Sequence, residues 1–219
     1  MNRYEKAILQ WNDLFKKEKL HIPQPGETGN QDFHHSLSWL TEKASSVIDF
    51  GCASGTLLFQ CSQRGTTEHI GIDLSSQAIA NAQEKAKRIP NCRFRFLCGG
   101  TDALCPIGPS SMDAAILSNI LDNLYPEDTH CVLAEIKRIL KPSGRLLVKL
   151  NPFLTPEQIA EYGIHVIKDN LLDDGMILWN NPTPGWDEIL QSYFHITRFQ
   201  NIYEKEHNLY QRLYLLTRP

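Results

Sequence analysis

One segment constrains the fold of this chain more than any other: Val47-Ile-Asp49-Phe-Gly51-Cys-Ala-Ser-Gly55-Thr56, a β-branched run that passes through a glycine-bounded turn straight into a helical pattern. A strand joined so tightly to a helix is the start of a βα unit, which needs parallel neighbours to bury its faces. Glycine in the turn permits positive φ and lets a ligand approach bare main chain where the helix begins. Short apolar runs alternate with longer amphipathic ones from Asp49 to about Leu150. The expected fold is therefore a doubly wound, Rossmann-like α/β sheet with helices on both faces.

The elements follow in order. Strands are expected at 46–50, 69–73, 93–97, 112–117 and 145–150. The run 112–117 is apolar apart from Asp113, which suits a central strand buried on both faces. A helix over 56–64 stops at Gly65. Another opens at Ser75 and carries Ala78, Ile79, Ala82 and Ala86 on one stripe before Pro90. A third, 127–140, presents Val132, Leu133, Ile136, Ile139 and Leu140, and Lys141-Pro-Ser-Gly144 turns it into the fifth strand. Beyond Asn151-Pro-Phe153, runs at 164–167 and 176–179 flank Asp173-Asp-Gly175 and read as a hairpin, so residues 161–182 are an insertion over the sheet. One more helix, 186–194, precedes strands at 195–203 and 209–217. Their linker Glu204-Lys-Glu-His-Asn208 is too short for a crossover helix, so they pair antiparallel.

With 219 residues the chain suits one domain: a helical cap over 1–45, a core over 46–153, the insertion, and a final helix with antiparallel strands over 183–219. Its 22 basic and 25 acidic residues give a net charge of -3 without basic runs, which disfavours a nucleic-acid partner. The six cysteines form no C-x-x-C pair, and His130-Cys131 has no second pair to match it. Reduced, mostly buried cysteines and no metal site are expected. The N-terminal stretch mixes charge with apolar residues, unlike a signal peptide, and no run is long enough to span a bilayer. The expected location is the cytoplasm, with no membrane partner.

Asp73 closes the second strand, and in an open parallel sheet neighbouring strands share one crevice at their carboxyl ends. A carboxylate there can accept hydrogen bonds from both hydroxyls of a ribose. Through Asp49-x-Gly51-x-x-x-Gly55, Gly71-Ile-Asp73-Leu-Ser75 and Leu140-Lys-Pro-Ser-Gly144, the chain resembles the class I S-adenosylmethionine-dependent methyltransferases from about residue 46 to its end. The resemblance implies a seven-stranded sheet, mostly parallel, with an antiparallel last strand. It implies S-adenosylmethionine as cofactor, S-adenosylhomocysteine as product and a small-molecule acceptor. Asp49, Gly51 and Gly55 would line the methionine part, with Cys52 and Ala53 in the same turn, Ala53 standing where the family often has glycine. Asp73 and Leu74 would hold the ribose, Asp102 and Ala103 would border the adenine, and Ser118 and Asn119 would lie nearest the sulfonium and the acceptor.

Other readings stay open. A nicotinamide dinucleotide enzyme wants G-x-G-x-x-G, but aligned from Gly51 this chain has Ala53 and Thr56 where glycines belong. A domain that binds the cofactor without turnover would carry the same residues. Asn151-Pro-Phe153 looks like a motif of amino-methylating nucleic-acid enzymes but follows the fifth strand instead of the fourth. Trp179, Asn180, Asn181 and Trp186 suit either an acceptor pocket or packing of the insertion. Trp11, Phe15, Phe33 and Trp39 suit either a cover over the cofactor or a core, and His34 and His35 suit a general base or an ordinary surface pair. No catalytic residue is identified.

Overall fold

A computed structural model describes residues 3–24, 27, 30–205 and 208–219. Two helices, α1 (Glu5–Lys16) and α2 (Gln31–Thr41), precede β1 (Ser46–Phe50), α3 (Thr56–Ser62), β2 (Glu68–Asp73), α4 (Ser76–Ala86) and β3 (Arg93–Cys98). Then come β4 (Met112–Ser118), α5 (Pro126–Ile139), β5 (Leu140–Leu150), α6 (Pro156–Glu161), β6 (His165–Lys168), β7 (Leu171–Asp173) and β8 (Ile177–Trp179). The chain ends with α7 (Thr183–Gln191), β9 (His195–Glu204) and β10 (Leu209–Thr217).

Seven strands form one sheet in the order β3-β2-β1-β4-β5-β10-β9. β1 pairs in parallel with both β2 and β4, and β10 lies antiparallel between β5 and β9. The seven-stranded, mostly parallel sheet with helices on both faces is thus present, with the antiparallel strand inserted one place in from the edge. Strand order runs outward in opposite directions from β1 and β4, so the crevice between their carboxyl ends is where such a sheet opens to a ligand.

Period-two alternation assigns each face its core. Ile48, Phe50, Ile72, Leu146 and Val148 pack against α5 and α7 through Val132, Leu133, Ile136, Trp186 and Leu190. Val47, Ala114, Ile116, Leu147 and Leu213 pack against α2, α3 and α4 through Leu37, Leu58, Phe59, Ile79 and Ala82.

Three readings need correction in detail. Residues 161–182 hold two hairpins, because β7 lies between β6 and β8 in a three-stranded antiparallel sheet; its three residues are too short a run to signal a strand. β5 begins at Leu140, so Lys141-Pro-Ser-Gly144 is an irregular part of the strand, with Ser143 at φ 60°. Only Cys52 and Cys61 are buried, while Cys92 is half-buried and Cys98, Cys105 and Cys131 are exposed. Of the linker between β9 and β10, Glu206 and His207 lie outside the described residues. Among the described residues no helix is long and apolar enough to cross a membrane.

Candidate active site

The turn after β1 owes its shape to left-handed backbone at three alternate positions, Gly51 (φ 80°), Ala53 (φ 49°) and Gly55 (φ 84°). The main-chain N–H groups of Gly51 and Cys52 donate to the Ile72 carbonyl at 2.8 and 3.0 Å, binding the turn to the end of β2. A side chain at Gly51 would also place its Cβ 2.9 Å from Cγ1 of Ile120. Glycine is therefore required there by conformation and by space. Ala53 keeps a Cβ in the unfavourable region, and its N–H donates to Oδ2 of Asp73 at 2.8 Å. Oδ1 of Asp73 accepts from Ser75 N–H at 2.8 Å. Each oxygen retains a further lone pair for a ligand.

Two carboxyls share this end of the sheet. Asp49 is 1% exposed, and its Oδ1 has no hydrogen-bond partner among the described residues. Burial, and then the nearby charge of Asp73, push its carboxyl well above the usual carboxylate range. Burial also raises Asp73, opposed by the N–H groups of Ser75 and Ala53. A cationic ligand beside this pair would relieve both effects. At the end of β4, Asn119 adopts φ 52° and its N–H donates to the Lys149 carbonyl at 2.7 Å. Its Oδ1 is buried without a partner among the described residues, a second acceptor awaiting a donor.

These groups surround a cavity of about 430 Å³. Of the residues singled out from the sequence, Gly51, Ala53, Asp73, Leu74, Asp102, Ser118 and Asn119 line it. Asp49, Cys52, Gly55 and Ala103 do not. Asp49 lies buried within electrostatic reach of Asp73, and the Cys52 thiol points back to the Ala53 carbonyl at 3.4 Å. Gly55 caps α3, and Ala103 packs against the core. Sequence reasoning passed over Gly99, Gly100 and Thr101, which follow β3 on the cavity wall, and Met176 and Ile177 from the insertion. It also gave α1 no definite place. Ala7, Ile8, Trp11 and Phe15 recur at helical spacing and close the cavity from above.

α1 is held across the opening at both ends. The Tyr4 hydroxyl donates to Asp128 and accepts from Tyr125 N–H at 3.1 Å, while Arg3 pairs with Asp128 at 2.5 Å. Beyond the other end, Glu18 accepts from Ser54 at 2.6 Å, from Lys85 at 3.0 Å and from Asn81 at 2.9 Å. Ser54 belongs to the turn after β1, so the N-terminal segment is bonded directly to the ligand-facing loop.

The remaining candidates separate. Trp179 and Trp186 are packed edge to face, 5.1 Å apart, inside the core. Asn180 exchanges two hydrogen bonds with the Leu154 backbone, and Asn181 accepts from Asn170. These four are structural. His34 lies against Arg64 and His35 beside a shallow surface depression, so neither faces the cavity.

Comparison with known proteins agrees with this geometry. Residues 47–144 match the family described as methyltransferase domain. A tRNA N(3)-cytidine methyltransferase of Gallus gallus is 27% identical over 156 residues, which is 68% of this chain and 40% of that protein. The chain spans less than half the length of the curated relatives it matches. The N-methyltransferase NodS of Bradyrhizobium japonicum, solved with S-adenosylhomocysteine, superposes with TM-score 0.72 at 14% identity over 98% of this chain and all of its own. A 1,6-didemethyltoxoflavin-N1-methyltransferase of Burkholderia thailandensis, solved with its small-molecule ligand and S-adenosylhomocysteine, superposes with TM-score 0.65 at 16% identity, over 98% of this chain and 85% of its own.

Proposed function

We propose that this chain, which carries a class I S-adenosylmethionine-dependent methyltransferase domain, transfers the methyl group of that cofactor to a small-molecule acceptor and releases S-adenosylhomocysteine. The observation that carries the reading is the proximity of a buried Asp49 oxygen, without a partner among the described residues, to a lone-pair-bearing Asp73 at the crevice of the β1 and β4 ends. In this reading the carboxylate of Asp73, with Leu74, holds the ribose hydroxyls. Asp102, with Ala103 behind it, borders the adenine. The turn from Gly51 through Cys52 and Ala53 to Gly55 supports the methionine chain, and Asp49 supplies negative charge beneath its ammonium. Ser118 and Asn119 stand beside the sulfonium.

A sulfonium brings its own activation as a leaving group, so the residues of this chain need only orient the acceptor in line and keep water out. α1 serves the second purpose, since Trp11 and Phe15 cover the cavity between fixed ends. Its roof also supports a small acceptor, because a folded RNA or protein would have to displace α1 to reach Asn119. Met176 and Ile177 place the insertion where it would select that acceptor. The small-molecule ligand of the toxoflavin-type neighbour is consistent with such a site. Free cysteines and a net charge of -3 fit work in the cytoplasm on a partner other than nucleic acid.

The test is a transfer assay with methyl-labelled S-adenosylmethionine in a cell extract, followed by fractionation. Label is expected among small molecules. Label appearing in RNA or protein would contradict the acceptor class, and no transfer by protein that binds S-adenosylhomocysteine would favour a non-catalytic binding role.

A further inference from the structure

A second, larger cavity of about 880 Å³ lies on the far side of the Gly51–Gly55 turn, among α2, α3, the strands β5, β10 and β9, and residues between α1 and α2 from Glu18 to Asn30. Its floor follows from pairing register. Lys149 on β5 is opposite Leu213 on β10, Gln211 is two residues along and opposite Ile202 on β9, and Glu204 is two further. Period-two alternation therefore puts Lys149, Gln211, Ile202 and Glu204 on one face of the sheet. α3 lowers Gln60 onto that face, and α2 contributes Phe33.

Polar groups here lack partners that a folded core would ordinarily provide. Gln60 is 2% exposed, yet its Oε1 has no hydrogen bond among the described residues. Oε2 of Glu204 is buried and equally unpartnered among the described residues. Lys149 is half-buried and makes no hydrogen bond or ion pair among the described residues; its ammonium is met only by the face of Phe33, 5.2 Å from the ring centre. Burial lowers its affinity for the proton, and the charges of Glu204 and Asp122 oppose that effect. Lys149 and Glu204, of opposite charge, thus face one cavity without an ion pair among the described residues, whereas Glu18 and Glu27 on the same cavity are paired with Lys85 and His21. Phe33, Leu57 and Ile202 give the wall an apolar part, and Glu18, Lys19, His21, Glu27 and Lys205 line its outer, charged part.

We infer that this cavity is a second ligand site, built for a small zwitterion whose carboxylate lies against Lys149 and whose ammonium lies against Glu204, with the Gln60 amide on the chain between them. The site does not rest on the cofactor reading, since none of these side chains lines the first cavity.

The test is calorimetric titration of the whole protein with straight-chain ω-amino acids, from glycine upward in chain length, beside alkanoates and alkylamines of matched length. Binding should peak at one chain length and require both charges. Lys149→Met and Glu204→Gln should each weaken that member by about thirtyfold or more, while S-adenosylhomocysteine binding stays unchanged. If no chain length binds, or if the singly charged analogues bind as well as the best zwitterion, the inference is wrong, whatever the variants do. Retained affinity in both folded variants would overturn it as well. Failure of S-adenosylhomocysteine to bind would count against the methyltransferase reading alone.

Discussion

The two cavities on either side of the Gly51–Gly55 turn are built by opposite means. The first is shaped by backbone: alternate residues at positive φ, main-chain donors on Asp73, and glycines after β3. Its polar groups are mostly engaged, and α1 is bonded down over it. The second is shaped by side chains from α2, α3, three strands and residues between α1 and α2, and its Lys149 and Glu204 have no ion pair among the described residues. A site whose form is conformational tolerates little change in its turn residues, whereas a site made of side chains can be rebuilt by substitution while the fold stays. The first therefore suits an invariant cofactor and the second a particular ligand.

Four substitutions would break or sharpen that contrast. Gly51→Ala should act most strongly, because it adds a left-handed residue and a Cβ 2.9 Å from Ile120; the loss should be about 2–5 kcal/mol in denaturant unfolding. A fully stable variant would show that the turn is not conformationally required. Asp73→Ala should weaken S-adenosylhomocysteine by about a hundredfold, since hydrogen bonds to a charged group are lost with both ribose hydroxyls. Freeing Ala53 and Ser75 N–H should also lower stability, by about 1–3 kcal/mol. Unchanged affinity would remove Asp73 from the ribose site.

Trp11→Ala comes next. Trp11 is 38% exposed, so stability should move by less than about 0.5 kcal/mol. Affinity for S-adenosylhomocysteine should fall about tenfold as the cover over the cavity is lost. The reverse pattern would make α1 a packing element. Ala53→Gly is the smallest change. Relief of left-handed strain outweighs the added freedom of the unfolded chain, and thermal or chemical unfolding should show a gain of about 0.5–1 kcal/mol. None of the four should alter the zwitterion titration, because none touches the second cavity.

The same contrast explains what could be read before the fold was seen. Asp49, Gly51, Gly55 and Asp73 sit in contiguous strand-turn-helix segments, so their spacing, with the family resemblance it carries, pointed to a crevice at the carboxyl ends of the strands, while the strand order itself was not read from the sequence. The antiparallel β9–β10 pair was legible from a linker too short to cross the sheet. The roof was half legible: α1 shows its apolar stripe in sequence, but its position depends on Tyr4, Asp128 and Glu18, whose partners are 36 to 124 residues away. The second site was not legible at all. Lys149, Glu204 and Gln211 are brought together by pairing register, Phe33 and Gln60 by the packing of α2 and α3 on that face, and each alone looks like an ordinary surface or core residue. β7 was missed because three residues carry too little pattern to mark a strand.

The central claim, that the crevice of β1 and β4 holds S-adenosylmethionine, is tested most directly by titrating the purified protein with S-adenosylhomocysteine in a calorimeter, with NADH as the control. Micromolar or tighter binding of S-adenosylhomocysteine and none of NADH is expected. Binding of NADH alone, or of neither ligand by protein shown to be folded, would contradict it.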